Sequence, residues 1–262
     1  MKKGDNGVND IGTISLASSD MVESIYNMTL LAFDNYLRYT IYQSPRSIKY
    51  LRDIIAQGAE RTGHYIFVLI KENNIIGYYH ALNLGSEFFL NYIVVTEMVR
   101  GLGLGKKLLD HCEATARMLS CTTLSLDVFE SNATAHQWYC RVGYKRRSAS
   151  SVAILAMNQE VQGPFKLKFL PQSLDLAYHE EAERGFSKLE CVYGPGKITV
   201  GLIADHVCKL LSFEGIGIED AIIAINSQFW KTRDVLIVSS LEVPARWVVL
   251  DSETIIRLSK SL

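Results

Sequence analysis

The stretch "TEMVRGLGLGKKLLDHCEATAR", residues 96–117, sets an arginine, three glycines at alternate positions and two lysines ahead of an apolar repeat. Glycines let backbone N–H groups close around a phosphate, and a helix beginning just behind them adds the partial positive charge of its N-terminus. Arg100 and Lys106 contribute full charges. The run Arg100, Gly101, Leu102, Gly103, Leu104, Gly105 and Lys106 therefore reads as a pyrophosphate cradle. Two other phosphate loops fit less well. A P-loop requires glycine where Arg100 stands and Ser or Thr where Lys107 stands. A dinucleotide fingerprint accommodates Gly101 and Gly103, but its third glycine falls one residue early, at 105.

The spacing Arg100-x-x-Gly103-x-Gly105, between an apolar strand and a helix, resembles the GNAT superfamily, the N-acetyltransferases that use acetyl-CoA. The likeness extends over residues 12–157 in the order of strands and helices. It implies that the loop grips the CoA pyrophosphate. It also implies that amides at Val94 and Val95, on a strand that splays from its neighbour, hold the pantetheine arm. The segment "SNATAHQWYCRVGYKR" carries the spacing N-x-x-A-x-x-x-Y-x-x-x-G-[FY] of the family's second motif. Asn132 and Tyr139 then lie two helical turns apart on one face, with Gly143 closing the helix. The resemblance makes Tyr139 the general acid toward the CoA sulfur and Asn132 a cofactor contact.

Acetyl transfer to an amine needs a neutral nucleophile, donors for the developing oxyanion and a proton for the leaving thiolate. Glu87 opens the strand "EFFLNYIVV", thirteen residues before Arg100, at the offset where the histone-acetylating branch of the family places its base. A solvated glutamate at a strand start, or a water chain in its place, is the competing reading. By simple alternation Glu87 shares a strand face with Asn91. Asp127 could touch the acceptor, although a surface-facing position accounts for it. Tyr36, Tyr39 and Tyr42 recur every third residue where the family builds its acceptor pocket, and an aromatic packing stripe explains them equally. His80, His111 and His136 lack the mutual spacing and carboxylate company of a metal site, so no metal is expected. His111 and His136 read as solvated helix positions.

The elements that must position these groups alternate in type. "GTISLAS" reads as a strand and "DMVESIYNMTLLAFDNYL" as a helix from about Asp20. A second helix, "SPRSIKYLRDIIAQGAE", takes Ser44 and Pro45 as N-cap and first residue and ends near Gly58. "HYIFVLIKENNIIGYYHAL" is two strands about the turn residues Glu72, Asn73 and Asn74. In the helix after the loop, Leu104, Leu108, Cys112, Ala116 and Leu119 repeat at helical spacing, while Lys107, Asp110, His111 and Arg117 face out. Strand, helix and strand then run to Met157. This is an α/β fold, a GNAT-like mixed, mostly antiparallel central sheet flanked by helices.

A polar segment with a Gly-Pro pair, "MNQEVQGPFK", places a boundary near residue 160. Residues 1–160 form the acetyltransferase domain, and residues 161–262 a small α+β domain without a clear repeat of the first. Its strands are "FKLKFL", "KITVGLI", "DVLIVSS" and "RWVVLD", with a helix in "EDAIIAINSQFW". The glycines of "FEGIGIEDAI" lead a helix whose first turn holds Glu219 and Asp220, which would repel phosphate, so that segment reads as structural.

With 48% apolar and 21% charged residues and a net charge of −1, the chain has the composition of a globular protein. It lacks the basic excess of a nucleic-acid reader. Five widely spaced cysteines, no apolar N-terminal core and no membrane-length apolar run point to a cytoplasmic protein without a membrane partner. The expected activity is direct transfer from acetyl-CoA to a primary amine in a ternary complex. The acceptor is a small molecule or a protein amine, and the second domain would complete the acceptor site, cover it or make a homodimer contact. Two other classes remain open, an acyl-CoA-binding sensor without turnover and a scaffold that has lost the cofactor.

Overall fold

The computed structural model describes residues 12–33, 40–157, 161–239 and 243–262. Tyr36, Tyr39 and the boundary near residue 160 lie outside these segments. The chain opens with β1 (Thr13–Leu16), α1 (Val22–Phe33), α2 (Ser47–Gln57) and the single turn α3 (Ala59–Thr62). Next come β2 (His64–Lys71), β3 (Asn74–Asn83), β4 (Glu87–Val95), α4 (Leu104–Met118), β5 (Thr123–Phe129), α5 (Ala133–Arg141) and β6 (Lys145–Ala156). The second half adds β7 (Leu167–Phe169), α6 (Ser173–Arg184), β8 (Phe186–Tyr193), β9 (Gly196–Ile203) and β10 (Val207–Glu214). It ends with α7 (Ile218–Phe229), β11 (Asp234–Ser239) and β12 (Val248–Ser261).

The local chemistry explains these elements. Glu72 and Asn73 both take positive φ, 50° and 63°, the conformation of a two-residue hairpin that twists with its strands. Lys71 accordingly pairs with Asn74 across the turn. The second helix begins two residues later than expected. Ser44 Oγ accepts from the N–H of Arg46, and Ser44 to Arg46 form the turn that enters α2. In α4 the apolar repeat buries Leu104, Leu108, Cys112 and Ala116.

The described residues form two compact units that interleave along the chain. The first draws on Met1–Asp34, Arg52–Leu126 and Ser259–Leu262, the second on Asn35–Leu51 and Asp127–Leu258. In the first unit the strands lie in the order β1-β2-β3-β4-β5, antiparallel except for the parallel β4–β5 pair. In the second the order is β12-β6-β11-β10-β9-β8-β7, antiparallel from β7 to β10 and parallel between β10 and β11. Its core gathers buried residues of β8 to β11 around Ile222, Ile225 and Phe229 of α7.

Each unit repeats the other's plan, which the sequence had not disclosed. β4 pairs with β5 over Glu87–Leu90 and then bulges at Asn91; β10 pairs with β11 over Val207–Leu210 and then bulges at Leu211. After each strand comes a glycine loop, Arg100-Gly-Leu-Gly-Leu in one and Glu214-Gly-Ile-Gly-Ile in the other, and its second glycine caps a helix. The copy is masked because its charges are reversed. Glu214 stands for Arg100, and Glu219 and Asp220 stand for Gly105 and Lys106. The elements α6, β8 and β10 are likewise absent from the sequence expectation. α6 buries only Ala177 and Glu181, too narrow a stripe to show a period.

Candidate functional site

β4 is the strand on which the first unit's site is built. Its parallel pairing with β5 stops at Leu90, opposite Leu126, while β4 continues to Val95. The break follows from one extra residue. His80 lies opposite Tyr92 and Ala81 opposite Leu90, leaving Asn91 unmatched. A bulge adds local twist and ends pairing on the far edge, so residues 92–95 keep β3 on one side and leave β5 on the other. Val94 is buried and Val95 half-buried on this free-edged segment. Gly77 lets the layers close here: a Cβ on it would meet the Val94 carbonyl oxygen at 2.9 Å and Leu108 Cδ1 at 3.0 Å.

The bulge also changes which side chains share a face. Beyond it, Tyr92 meets Phe33 of α1 at 5.5 Å between ring centroids, and Val94 lies opposite Tyr78, whose hydroxyl bonds Thr29 of α1. Before it, that face belongs to Glu87 and Phe89. Asn91 is the extra residue itself, so the expected pairing of Glu87 with Asn91 by alternation does not hold. Glu87 is half-buried, and Ser125 of β5 donates its hydroxyl to Glu87 Oε1.

The glycine loop lies between β4 and α4. Gly101 and Gly103 both have φ of +79°, where an L side chain is strained, and a Cβ at either would meet nothing within 4 Å. Gly103 caps α4 without a side-chain acceptor, and the first helical bond runs from Lys107 N–H to the Gly103 oxygen at 3.1 Å. The N–H groups of Leu104, Gly105 and Lys106 stand ahead of that bond with no protein acceptor among the described residues. Arg100 is exposed, its Nε 3.4 Å from the Val95 oxygen, and Lys106 pairs with Asp110 one turn on. Open space above two glycines, first-turn amides and two exposed cations fit a pyrophosphate.

α5 belongs to the second unit. Asn132 caps it, its Oδ1 accepting from the Ala135 N–H at 3.1 Å, so the side-chain carbonyl is committed and the amide NH2 is the donor left to meet a ligand. Tyr139 is 7% exposed, with its ring 5.7 Å from Tyr144 and 4.8 Å from Trp138. Asp127 does not stand open as an acceptor contact. Arg257 of β12 grips both its oxygens, Nη2 to Oδ2 at 2.9 Å.

The histidines differ from their expected roles. His111 is not simply solvated: Tyr79 Oη lies 2.9 Å from its Nδ1, Phe67 packs at 4.7 Å, and burial lowers its pKa. His80 is 3% exposed, and its Nε2 lies 2.8 Å from His64 Nδ1, a pair that the sequence reading missed. Burial, with His64 second, lowers the His80 pKa to about 3. Among the described residues no group of three or more His, Cys, Asp or Glu could hold a metal ion, and no helix is long and apolar enough to cross a membrane.

Comparison with known proteins places this geometry. The acetyltransferase (GNAT) family model matches residues 24–144. A 5-NmdU N-acetyltransferase from Pseudomonas phage PaMx11 is 32% identical over 111 residues, 40% of this chain and 77% of its own length. The chain belongs to the GNAT acetyltransferase family. It is thus an acyltransferase by family. Solved GNAT folds also extend over both halves. A tandem GNAT protein from the clavulanic acid biosynthesis pathway superimposes with a TM-score of 0.66 at 12% identity, covering 95% of this chain and 98% of its own. A GCN5-related N-acetyltransferase from Sphaerobacter thermophilus gives 0.61 at 15% identity, covering 95% of each chain. At such identities the likeness concerns the fold, and it agrees with the internal repeat.

Proposed function

We propose that this GNAT chain transfers an acetyl group directly from acetyl-CoA to a primary amine bound at the same time, with the cofactor held by the first unit. The observation that carries the reading is the Arg100–Lys106 loop, where open glycines meet unpaired first-turn amides beside the free edge of β4. Arg100 and Lys106 neutralise the pyrophosphate, while Val94 and Val95 present backbone to the pantetheine arm. Acetyl-CoA supplies the thioester carbonyl and a thiolate leaving group. The amine must arrive neutral. Glu87, or water that it orders, takes its proton, and the Ser125 hydrogen bond keeps the carboxylate oriented. The amine lone pair forms the C–N bond, backbone donors at the β4 edge stabilise the oxyanion, and the C–S bond breaks. Tyr139 returns a proton to the sulfur, so an amide and the free thiol leave. The family's second motif supports this role for Tyr139 and the cofactor contact of Asn132.

The test is thermal unfolding of the full chain with acetyl-CoA, CoA or NAD. Both CoA species are expected to raise the midpoint, by about 2.7 kcal/mol of stabilisation at a hundredfold excess over Kd, and NAD is not. Gly103→Glu, which puts a carboxylate where the pyrophosphate lies, should abolish the shift. No response to either CoA species would end the cofactor reading. An amine panel that includes 5-NmdU, the substrate in the phage relative's name, then follows thiol release. Binding without release for every amine would favour a sensor.

A further inference from the structure

We infer that His80 is a specificity contact for the acceptor, and that the acceptor carries its amine on a planar, uncharged group with hydrogen-bonding atoms, such as a lactam ring. The inference rests on the transfer reading above and extends it to the class of acceptor. His80 is 3% exposed, and its Nδ1 is buried without a hydrogen-bond partner among the described residues. The other nitrogen, Nε2, lies 2.8 Å from His64 Nδ1, so a ring flip that gave Nδ1 a partner would break that contact. A polar atom left unmet in apolar surroundings is unfavourable, and a ligand atom that completes it is favoured there.

The unmet nitrogen stands where transfer would take place. His80 is opposite Tyr92, at the bulge where β4 parts from β5, and one strand spacing, about 4.8 Å, behind β4. A group that presents its amine at the free edge of β4 and extends back over one strand therefore reaches His80. The surface it crosses is apolar. Leu82 is opposite both Phe89 and His64 in register, on the side of the sheet that carries Tyr92, and Leu82, Phe89 and Tyr92 are half-buried. The His80 ring lies 29° from the plane of Tyr92, with 6.2 Å between centroids, and Phe33, the last residue of α1, meets Tyr92 edge-on. Aromatic faces favour a flat guest. Burial, with His64 second, holds the His80 pKa at about 3, so the ring offers a hydrogen bond but no charge to a carboxylate or phosphate. A second ammonium on the acceptor would be desolvated against Leu82, Phe89 and Tyr92. A lactam supplies both an N–H and a carbonyl, and so completes Nδ1 in either tautomer of His80.

The experiment follows thiol release by the full chain with acetyl-CoA and one of three amines of similar size: 3-aminomethyl-2-pyridone, benzylamine or cyclohexylmethylamine. The pyridone should exceed benzylamine by about tenfold in kcat/KM, with the difference in KM, and benzylamine should exceed the saturated ring. His80→Gln has its amide about where the imidazole carries Nε2, so it keeps the contact with His64 and loses Nδ1. It should abolish the preference for the pyridone while the rate with benzylamine and the CoA-induced thermal shift hold. His80→Asn has its amide about where Nδ1 stands and should retain the preference. A purely structural histidine would change all three amines alike. If the parent treats pyridone and benzylamine equally, or His80→Gln keeps the preference, Nδ1 meets only a buried water and the proposal falls. Should the variants fail to fold, the parent's ranking decides: the stated order supports the contact and any other overturns it. If CoA stabilises the chain but no amine releases thiol, the transfer reading has failed. The amines are then ranked by the thermal shift each adds in the presence of CoA, and the same order supports, or any other overturns, the contact at His80.

Discussion

His80 shows how one buried side chain sets a response to pH. With 3% of its surface exposed and its pKa near 3, it stays neutral in the folded protein, whereas the unfolded chain binds a proton at the ordinary value of 6.5. Below pH 6.5 the unfolded state therefore holds more protons, and stability falls as pH drops toward 3. The slope should approach about 1.4 kcal/mol per pH unit from this residue. His64 and His111, also lowered by burial, act in the same direction. Urea unfolding between pH 7 and pH 4.5 measures the slope, and His80→Gln should flatten it; an unchanged slope would mean that His80 is charged in the fold. Tyr139 admits a different test. Tyr139→Phe keeps the ring against Tyr144 and removes the hydroxyl, so acetyl-CoA affinity should hold within about twofold while thiol release falls about 100-fold. Equal rates would take the acid role from Tyr139. The glycine loop could be read in the sequence because its residue types carry their conformational meaning with them. The His64–His80 pair could not, since it exists only through the antiparallel register that sets Ile66 opposite His80.

At the scale of elements, the free edge of β4 depends on how tightly β3 and α4 close around it. Gly77 governs that closure. A methyl group there would stand 2.9 Å from a backbone oxygen, Val94 O, which cannot swing aside as a side chain can. Gly77→Ala should cost about 2 kcal/mol in urea unfolding and weaken the CoA-induced thermal shift, because relief requires β4 to move. A variant as stable as the parent, with full CoA response, would show that the layers are looser than their spacing indicates. The apolar run "EFFLNYIVV" was enough to identify a strand, since composition alone marks it. Its bulge was not visible there, because an unmatched residue is a property of two strands. The same distinction explains Asp127, whose role is fixed by an arginine 130 residues away on β12. The repeat in the second half stayed hidden for a related reason: the backbone plan survived while Arg100 and Lys106 were replaced by acids in the copy.

The first unit takes in the last residues given for the chain. Ser259–Leu262 belong to the first unit, although the rest of β12 belongs to the second. Lys260 Nζ donates to Glu113 at 2.8 and 3.0 Å, and the Leu262 N–H donates to the Thr122 oxygen at 3.0 Å. Glu113 is 6% exposed on α4, the helix that follows the glycine loop, and a second ion pair, with Arg117, is longer at 3.6 Å. Arg117 stays beside Glu113 when Lys260 is removed and Lys260 is partly exposed, so the loss is that of a hydrogen bond to a charged group, about 1.5–3 kcal/mol. A chain ending at Arg257 or Leu258 should therefore lose about 3 kcal/mol in urea unfolding and unfold at lower temperature. Lys260→Met should reproduce most of the loss, because it isolates the ion pair from the backbone bonds of the strand. CoA should still bind at low temperature, since the loop itself is intact. If the shortened chain unfolds within about 0.5 kcal/mol of the parent, the pair at Glu113 is solvated and the C-terminal strand end does not hold the first unit together.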